Sequence, residues 1–224
     1  MRIFVKLRNT LTGLFESQYF GIGFIILGII IQVLCFLGAE EKSTLSLISG
    51  CLGIAAVVLI SRRSLWFYLF GILQLLTYTW ICIGERLWGE VGENIFYLIT
   101  MIFGYFMWKK TYDGSKIKTR EMSKFTLTIL LIFTGAMVWG LYKILGVYST
   151  DSQPFMDSIS TVPAIVAQFL LIYRFKEQWL FWAIINVASI IMWFEAGNLN
   201  MVAQFVFWLF NCFYGWIIWS DQDY

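Results

Sequence analysis

Glu93, Tyr97, Thr100, Gly104 and Trp108 recur at steps of three or four, and Gln204, Trp208, Asn211, Gly215 and Trp219 repeat that stripe farther along the chain. Such spacing puts each set on one face of a helix. Asn94 flanks the first stripe, and Trp182, Asn186, Ser189 and Trp193 form a third set at steps of four, three and four. Amides, hydroxyls and indoles in this arrangement suit binding: they donate, accept and stack, as a polar aromatic ligand or a sugar requires. They do not suit catalysis. The chain has no histidine, which removes the commonest general base, the Ser-His triads and the His-ligated metals. It also has no phosphate-cradling glycine loop, metal-ligand cluster or carboxylate pair at catalytic spacing. The expectation is a binding site with no catalytic residue, metal or cofactor. Cys35, Cys51, Cys82 and Cys212 fall one to an apolar segment without a CxxC pair, and read as small hydrophobes.

The elements that must position these residues lie in lipid. Of 224 residues, 59% are hydrophobic and 13% charged, with a mean hydropathy of +0.74, outside the soluble range. Apolar runs near 20–38, 44–60, 65–84, 91–108, 125–146, 156–173, 178–194 and 200–219 each suffice for a helix across a hydrocarbon core of about 30 Å. The fold class is an all-α membrane protein of eight transmembrane helices. A net charge of +2 without a dense basic run gives no reason to expect nucleic acid; membrane lipid is the partner. Arg2, Lys6, Arg8, Arg62, Arg63, Lys109, Lys110, Lys116, Lys118, Arg120, Lys124, Arg174 and Lys176 occupy alternate connections, and only Lys42, Arg86 and Lys143 lie on the other side. The positive-inside rule then puts both termini in the cytoplasm. Residues 1–18 carry Phe4, Leu7, Leu11, Leu14 and Phe15 on one face and read as an amphipathic surface helix, the rival being a disordered leader.

The chain also repeats itself. Trp66, Ile72, Trp80 and Gly84 match Trp179, Ile185, Trp193 and Gly197 at one offset; after a two-residue gap Phe96, Leu98, Gly104 and Trp108 match Phe207, Leu209, Gly215 and Trp219 at another. Gly50 and Pro163 stand sixteen residues before the first matched tryptophans, as bending points. The plan is therefore two parallel three-helix units, 44–110 and 151–220, joined by a cytoplasmic loop and linker helix at 111–150. An extra N-terminal helix at 19–43 completes it. An intervening single crossing keeps the two units the same way up, as in transporters that bind substrate between repeats. Glu93 is the carboxylate nearest the interior. Trp108 and Trp219 are expected in the interfacial aromatic belt. In this register Trp182, Asn186, Ser189 and Trp193 correspond to Leu69, Leu73, Leu76 and Trp80, so the polarity is one-sided; Gln74 and Tyr78 are weaker candidates on another face.

Over about residues 44–219 the chain resembles the PnuC transporters of nicotinamide riboside. The resemblance is carried by MDSIS at 156–160, by the string from Gln178 to Asn186 with its Trp-x3-Asn element, by Phe210 to Trp219, and by GYFMW at 104–108. It implies facilitated diffusion of nicotinamide riboside across the bacterial inner membrane, with trapping by phosphorylation inside the cell. It also implies a fold similar to SWEET sugar transporters, and a homotrimer. The substrate contacts would fall on Trp182, Asn186, Gln204 and Asn211, with Asn94, Tyr97, Trp208 and Glu93 around them. A pyridinium cation, a carboxamide and a ribose ask for an aromatic face and amide partners, which these residues supply.

Relatives of similar pattern carry thiamine or riboflavin, and a sugar would use the same amides, so these remain alternatives. A non-transporting sensor or scaffold is the alternative of another class. The distribution of basic residues makes one testable statement: in intact cells a membrane-impermeant thiol reagent should modify Ser152→Cys and spare Lys116→Cys. The reverse pattern would invert the orientation.

Overall fold

The computed structural model describes residues 13–39, 43–84, 86, 88–112, 114, 117–148, 154–195, 197 and 199–220, apart from the side chains at 88–90, 148 and 200. The described part is helical: α1 Gln18–Gly38, α2 Thr44–Ser61, α3 Trp66–Gly84, α4 Trp88–Lys109, α5 Lys124–Tyr148, α6 Pro154–Ile172, α7 Gln178–Glu195 and α8 Leu199–Ser220. All eight are long and apolar enough to cross a membrane, and the chain is a multi-pass membrane protein. Lipid offers no partner for a bare peptide group, so each run closes its own hydrogen bonds as a helix. Of the surface helix expected at 1–18 only residues 13–18 lie within the described residues, and of these 13–16 are helical ahead of a bend at Ser17.

The ends of the helices are set locally. Ser43 caps α2 by accepting from the Ser46 N–H at 3.2 Å, and Ser123 caps α5 by accepting from the Thr126 N–H at 3.1 Å, satisfying donors the first turn leaves over. Helix α2 stops at a left-handed residue, Arg63 (φ 58°). There the Arg63 N–H reaches Ile60 O at 2.9 Å and the Ser64 N–H reaches Leu59 O at 3.0 Å, a Schellman stop. Helix α6 ends in the same way. Arg174 (φ 65°) takes the left-handed position, and the Phe175 N–H reaches Leu170 O at 2.8 Å.

These stops correct the register of the repeat. Arg63 and Arg174 lie 111 positions apart, and so do the left-handed residues Arg86 and Gly197 that end the next turns. That is also the spacing of Trp108 and Trp219, so one offset covers the whole unit and the expected two-residue gap does not exist. Tyr68, not Trp66, is the counterpart of Trp179: both are 4% exposed, whereas Trp66 is 65% exposed. The alternative register rested on tryptophan identity, but lipid accepts an outward Trp as readily as the core accepts an inward one. Leu69, Leu73, Leu76 and Trp80 accordingly face outward, and the counterparts of Trp182, Asn186 and Ser189 are Gly71, Leu75 and Tyr78. Gly50 and Pro163 are not equivalent either, and helices α2 and α6 run unbroken through them.

The helices that begin and end the two units cross over: α2 packs on α8 and α4 on α6, while α1 lies against α2 and α8. Among the described helices, α5 packs closely on α6 alone. The C-terminal ends of α4 and α8 meet through Trp108 and Trp219, whose rings are 5.7 Å apart, so both helices end on the same side. We call this the basic end, since Arg62, Arg63, Lys109, Arg120, Arg174 and Lys176 gather there. Arg62 ties its chain crossing together, Nη1 donating to Ser17 O at 3.1 Å and to the Tyr214 hydroxyl at 3.2 Å. The segment after α4 is stitched to the turn before α7: the Arg120 N–H donates to Arg174 O at 2.7 Å and the Lys176 N–H to Arg120 O at 2.9 Å. Glu177 accepts from the Met122 N–H at 3.0 Å, and burial still pushes its carboxyl above the usual range.

Two close approaches make the interior possible. A methyl group at Gly215 would lie inside the van der Waals shell of the Trp179 ring, and one at Gly104 would meet the Tyr68 hydroxyl at 2.7 Å. Gly215→Ala should therefore lower stability by about 1–3 kcal/mol through overpacking, while Gly135→Ala on α5, which has nothing within 4 Å, should be near neutral. Thermal unfolding in detergent compares them; equal midpoints would refute the tight contact.

Candidate functional site

The floor of the site is built first. Trp108 and Trp219 are both 0% exposed, which corrects their expected place in an interfacial belt. Each indole N–H reaches across to the other unit: Trp108 Nε1 donates to Leu171 O at 3.0 Å and Trp219 Nε1 to Ile60 O at 3.1 Å. The two bonds are symmetry mates, because Ile60 and Leu171 are repeat counterparts. Phe67 and Tyr68 pack edge-on to Trp108, with centroids at 4.9 and 5.6 Å. Trp179 packs edge-on to Trp219 at 5.7 Å. This aromatic plug closes the molecule at its basic end.

Above the plug lies an inner cavity of about 340 Å³, and beyond it a vestibule of about 630 Å³ toward the opposite end. Gln74, Tyr78, Glu93, Tyr97, Trp182 and Trp208 line both and form the neck between them. The inner volume is at the small end of the range for small-molecule sites. The eight residues expected around the substrate all line this path, whereas Thr100, Gly104, Trp108, Gly215 and Trp219 of the same stripes do not. Asn94, Asn186 and Asn211 line the inner cavity, whereas Gln204 lies a level away in the vestibule, with Ser189 and Trp193.

Their hydrogen bonds differ. Tyr97 donates to Glu93 Oε1 at 2.7 Å, and Asn186 Nδ2 donates to the Cys212 sulfur, a weak acceptor, at 3.3 Å. Asn211 is engaged at both ends of its amide, accepting from Ser61 Oγ at 3.1 Å and donating to Val57 O at 3.3 Å; it holds α8 to α2. The seam between α4 and α6 has its own bond at the same level, Gln168 Nε2 to Thr100 Oγ1 at 2.8 Å. Other buried polar atoms in the cavity wall have no partner among the described residues: Asn94 Nδ2, Trp208 Nε1, Trp179 Nε1 and both polar atoms of Gln178. A buried donor without a partner is rare enough in a folded chain to need an explanation, and here four donors and an acceptor are spread along one cavity. The array can take a small molecule that accepts several hydrogen bonds and presents a flat ring.

Sequence spacing missed Gln168, Gln178 and Trp179, and Gln32 of α1, which lines the vestibule. For Gln32 and Gln168 an amide inside an apolar span was the available signal, since such groups are costly in lipid and turn inward.

A family model described as nicotinamide mononucleotide transporter matches residues 43–221. The nicotinamide riboside transporter PnuC of Haemophilus influenzae is 31% identical over 206 residues, 90% of this chain and 89% of that protein. The protein of the same name from Neisseria mucosa is 29% identical over 209 residues, 85% of this chain and 80% of that one. A crystal structure of the vitamin B3 transporter PnuC aligns with a TM-score of 0.74 at 24% identity, covering 91% of this chain and 92% of that one.

The geometry separates wall from contact surface. Asn211→Ala should lower stability by about 1–3 kcal/mol, since a buried amide that closes a helix seam is lost. An unchanged thermal midpoint would show that the α2–α8 seam does not depend on it.

Proposed function

The chain belongs to the PnuC family of membrane transporters, not to an enzyme family, and from that premise we propose that it carries nicotinamide riboside across the bacterial inner membrane by facilitated diffusion. The basic end, with both termini, faces the cytoplasm, and the vestibule opens outward. The fold reads as two parallel three-helix units, α2–α4 and α6–α8, joined by α5, with α1 laid over the α2–α8 seam. Substrate descends through the vestibule past Gln204 and settles against Trp182, Asn186, Asn94 and Trp208, with Tyr97 and Glu93 at the neck and Asn211 holding the wall. Opening the Trp108–Trp219 plug while the neck closes completes the passage, and phosphorylation in the cell prevents return. The assembly is a homotrimer.

The observation that carries this reading is the charge of the lining. Among its described residues neither cavity has a lysine or arginine, and the acidic groups are Glu93 and Asp157. A phosphate ester would need cationic partners, so the path favours the riboside over the mononucleotide. A pyridinium cation gains from the Glu93 carboxylate and from stacking on Trp182 or Trp208, worth about 0.5–2 kcal/mol per aromatic contact. Thiamine is also a cation, and a riboside is distinguished from it by the ribose diol and the carboxamide that the amides can pair with.

Purified protein in liposomes tests this. Nicotinamide riboside should equilibrate down its own gradient without a proton or sodium gradient. Asn186→Leu and Gln204→Leu should each weaken its binding roughly tenfold to hundredfold, and Trp182→Ala at least as much. Parent-like binding by all three variants would mean that the site is misplaced. Preferred binding of thiamine or riboflavin would mean that the vitamin is wrong, and accumulation driven by an ion gradient would replace uniport with coupled transport.

A further inference from the structure

We propose that Gln178, at the floor of the inner cavity, is a specificity-determining residue whose side-chain amide pairs with the carboxamide on the substrate's pyridinium ring. The assignment rests on the reading of the cavity as a nicotinamide riboside site, and it adds a residue that neither the spacing nor the repeat pointed to.

Gln178 is 0% exposed, lines the cavity, and has no partner among the described residues for either Nε2 or Oε1. An amide withdrawn from water with both ends idle is costly, and an apolar side chain of similar size avoids that cost. The fold itself shows that an amide is not required here. The repeat counterpart of Gln178 is Phe67, 1% exposed, so the same place in the first unit is filled by a hydrocarbon ring. What the helix packing does not need, the cavity can use. Trp179 Nε1, on the adjacent residue, is a further buried donor without a partner on the same floor.

A primary carboxamide on the ligand carries two N–H donors and one carbonyl acceptor, so it can give and take one hydrogen bond with another carboxamide. Gln178 has one idle donor and one idle acceptor to offer. A ring without that substituent leaves both idle. A ring with a carboxylate in its place brings acceptors only, leaves Gln178 Oε1 unpaired, and carries a negative charge into a cavity that already holds Glu93. Gln178 thus selects the amide over the acid and over the bare ring.

The test is a cycle between one residue and one ligand group. Calorimetric titration compares nicotinamide riboside with ribosyl pyridinium, which lacks the carboxamide, on the parent and on Gln178→Leu, and thermal unfolding is recorded without ligand. The parent should bind the riboside about tenfold to hundredfold more tightly than the pyridinium. The variant should bind both alike, at the level of the parent with the pyridinium, and should unfold at the same or a higher temperature. A variant that keeps the parent's preference overturns the assignment, as does a parent that binds both ligands equally. Gln178→Met keeps the chain length without the amide and is measured alongside in case leucine packs badly; retention of the preference in a folded Met variant also overturns it. A parent that binds neither ligand overturns the functional reading and this assignment with it.

Discussion

Two indole N–H groups hold the units together where the path is closed. Trp108 donates to a carbonyl of the second unit and Trp219 to the matching carbonyl of the first. Each carbonyl lies in the last turn of its helix and already accepts from the left-handed stop, Ile60 O from the Arg63 N–H and Leu171 O from the Arg174 N–H, so the indole takes the second lone pair and disturbs no helical ladder. Everything near the basic end is arranged around this exchange. Gly104 and Gly215 let Tyr68 and Trp179 come close enough to flank the indoles, and Thr119 donates to the Trp219 carbonyl at 2.9 Å, fastening the segment after α4 beneath them. In a lipid-embedded protein the hydrophobic effect does little to bring helices together, so packing and hydrogen bonds of this kind carry the association.

Symmetry governs the closure but not the lining. The stops at Arg63 and Arg174 and the turns at Arg86 and Gly197 repeat faithfully, as do the indole bonds. Along the cavity the counterparts diverge: Phe67 against Gln178, Leu75 against Asn186, Gly71 against Trp182. The first unit supplies small or apolar surface where the second supplies amides and an indole. Glu93 against Gln204 and Asn94 against Phe205 reverse the bias on the third helices. A ligand lying between the units therefore meets different chemistry at each end, which a two-fold symmetric wall could not offer.

The spans, their number and the inward stripes were legible in the sequence, because apolar length and helical spacing are direct consequences of crossing lipid. Glu93, Tyr97, Asn186, Gln204 and Trp208 all face the path that their spacing pointed to. The register of the repeat was not legible from tryptophan matches. Trp66 and Trp80 are exposed and Trp179 is buried, since a large apolar ring suits lipid and core equally and so carries no information about facing. The Arg63 and Arg174 stops would have served better, because a left-handed helix end is a backbone requirement rather than a matter of hydrophobicity. Trp108 and Trp219 looked like belt residues for a related reason: their depth in a span is readable, their direction is not. Gln178 sits on the first turn of α7, where an amide ordinarily means nothing more than a helix end.

Among the described helices α5 packs closely on α6 alone, and within its described side chains Thr134 alone is buried. It therefore adds little to the packing of either unit, and its importance lies in the order of synthesis. A unit of three crossings leaves the chain on the side opposite to its start. Were α6 to follow α4 directly, the second unit would be threaded upside down, Trp219 would emerge on the side away from Trp108, and neither indole could find its carbonyl. The helix that contacts least is the one that lets α4 and α8 end on the same side.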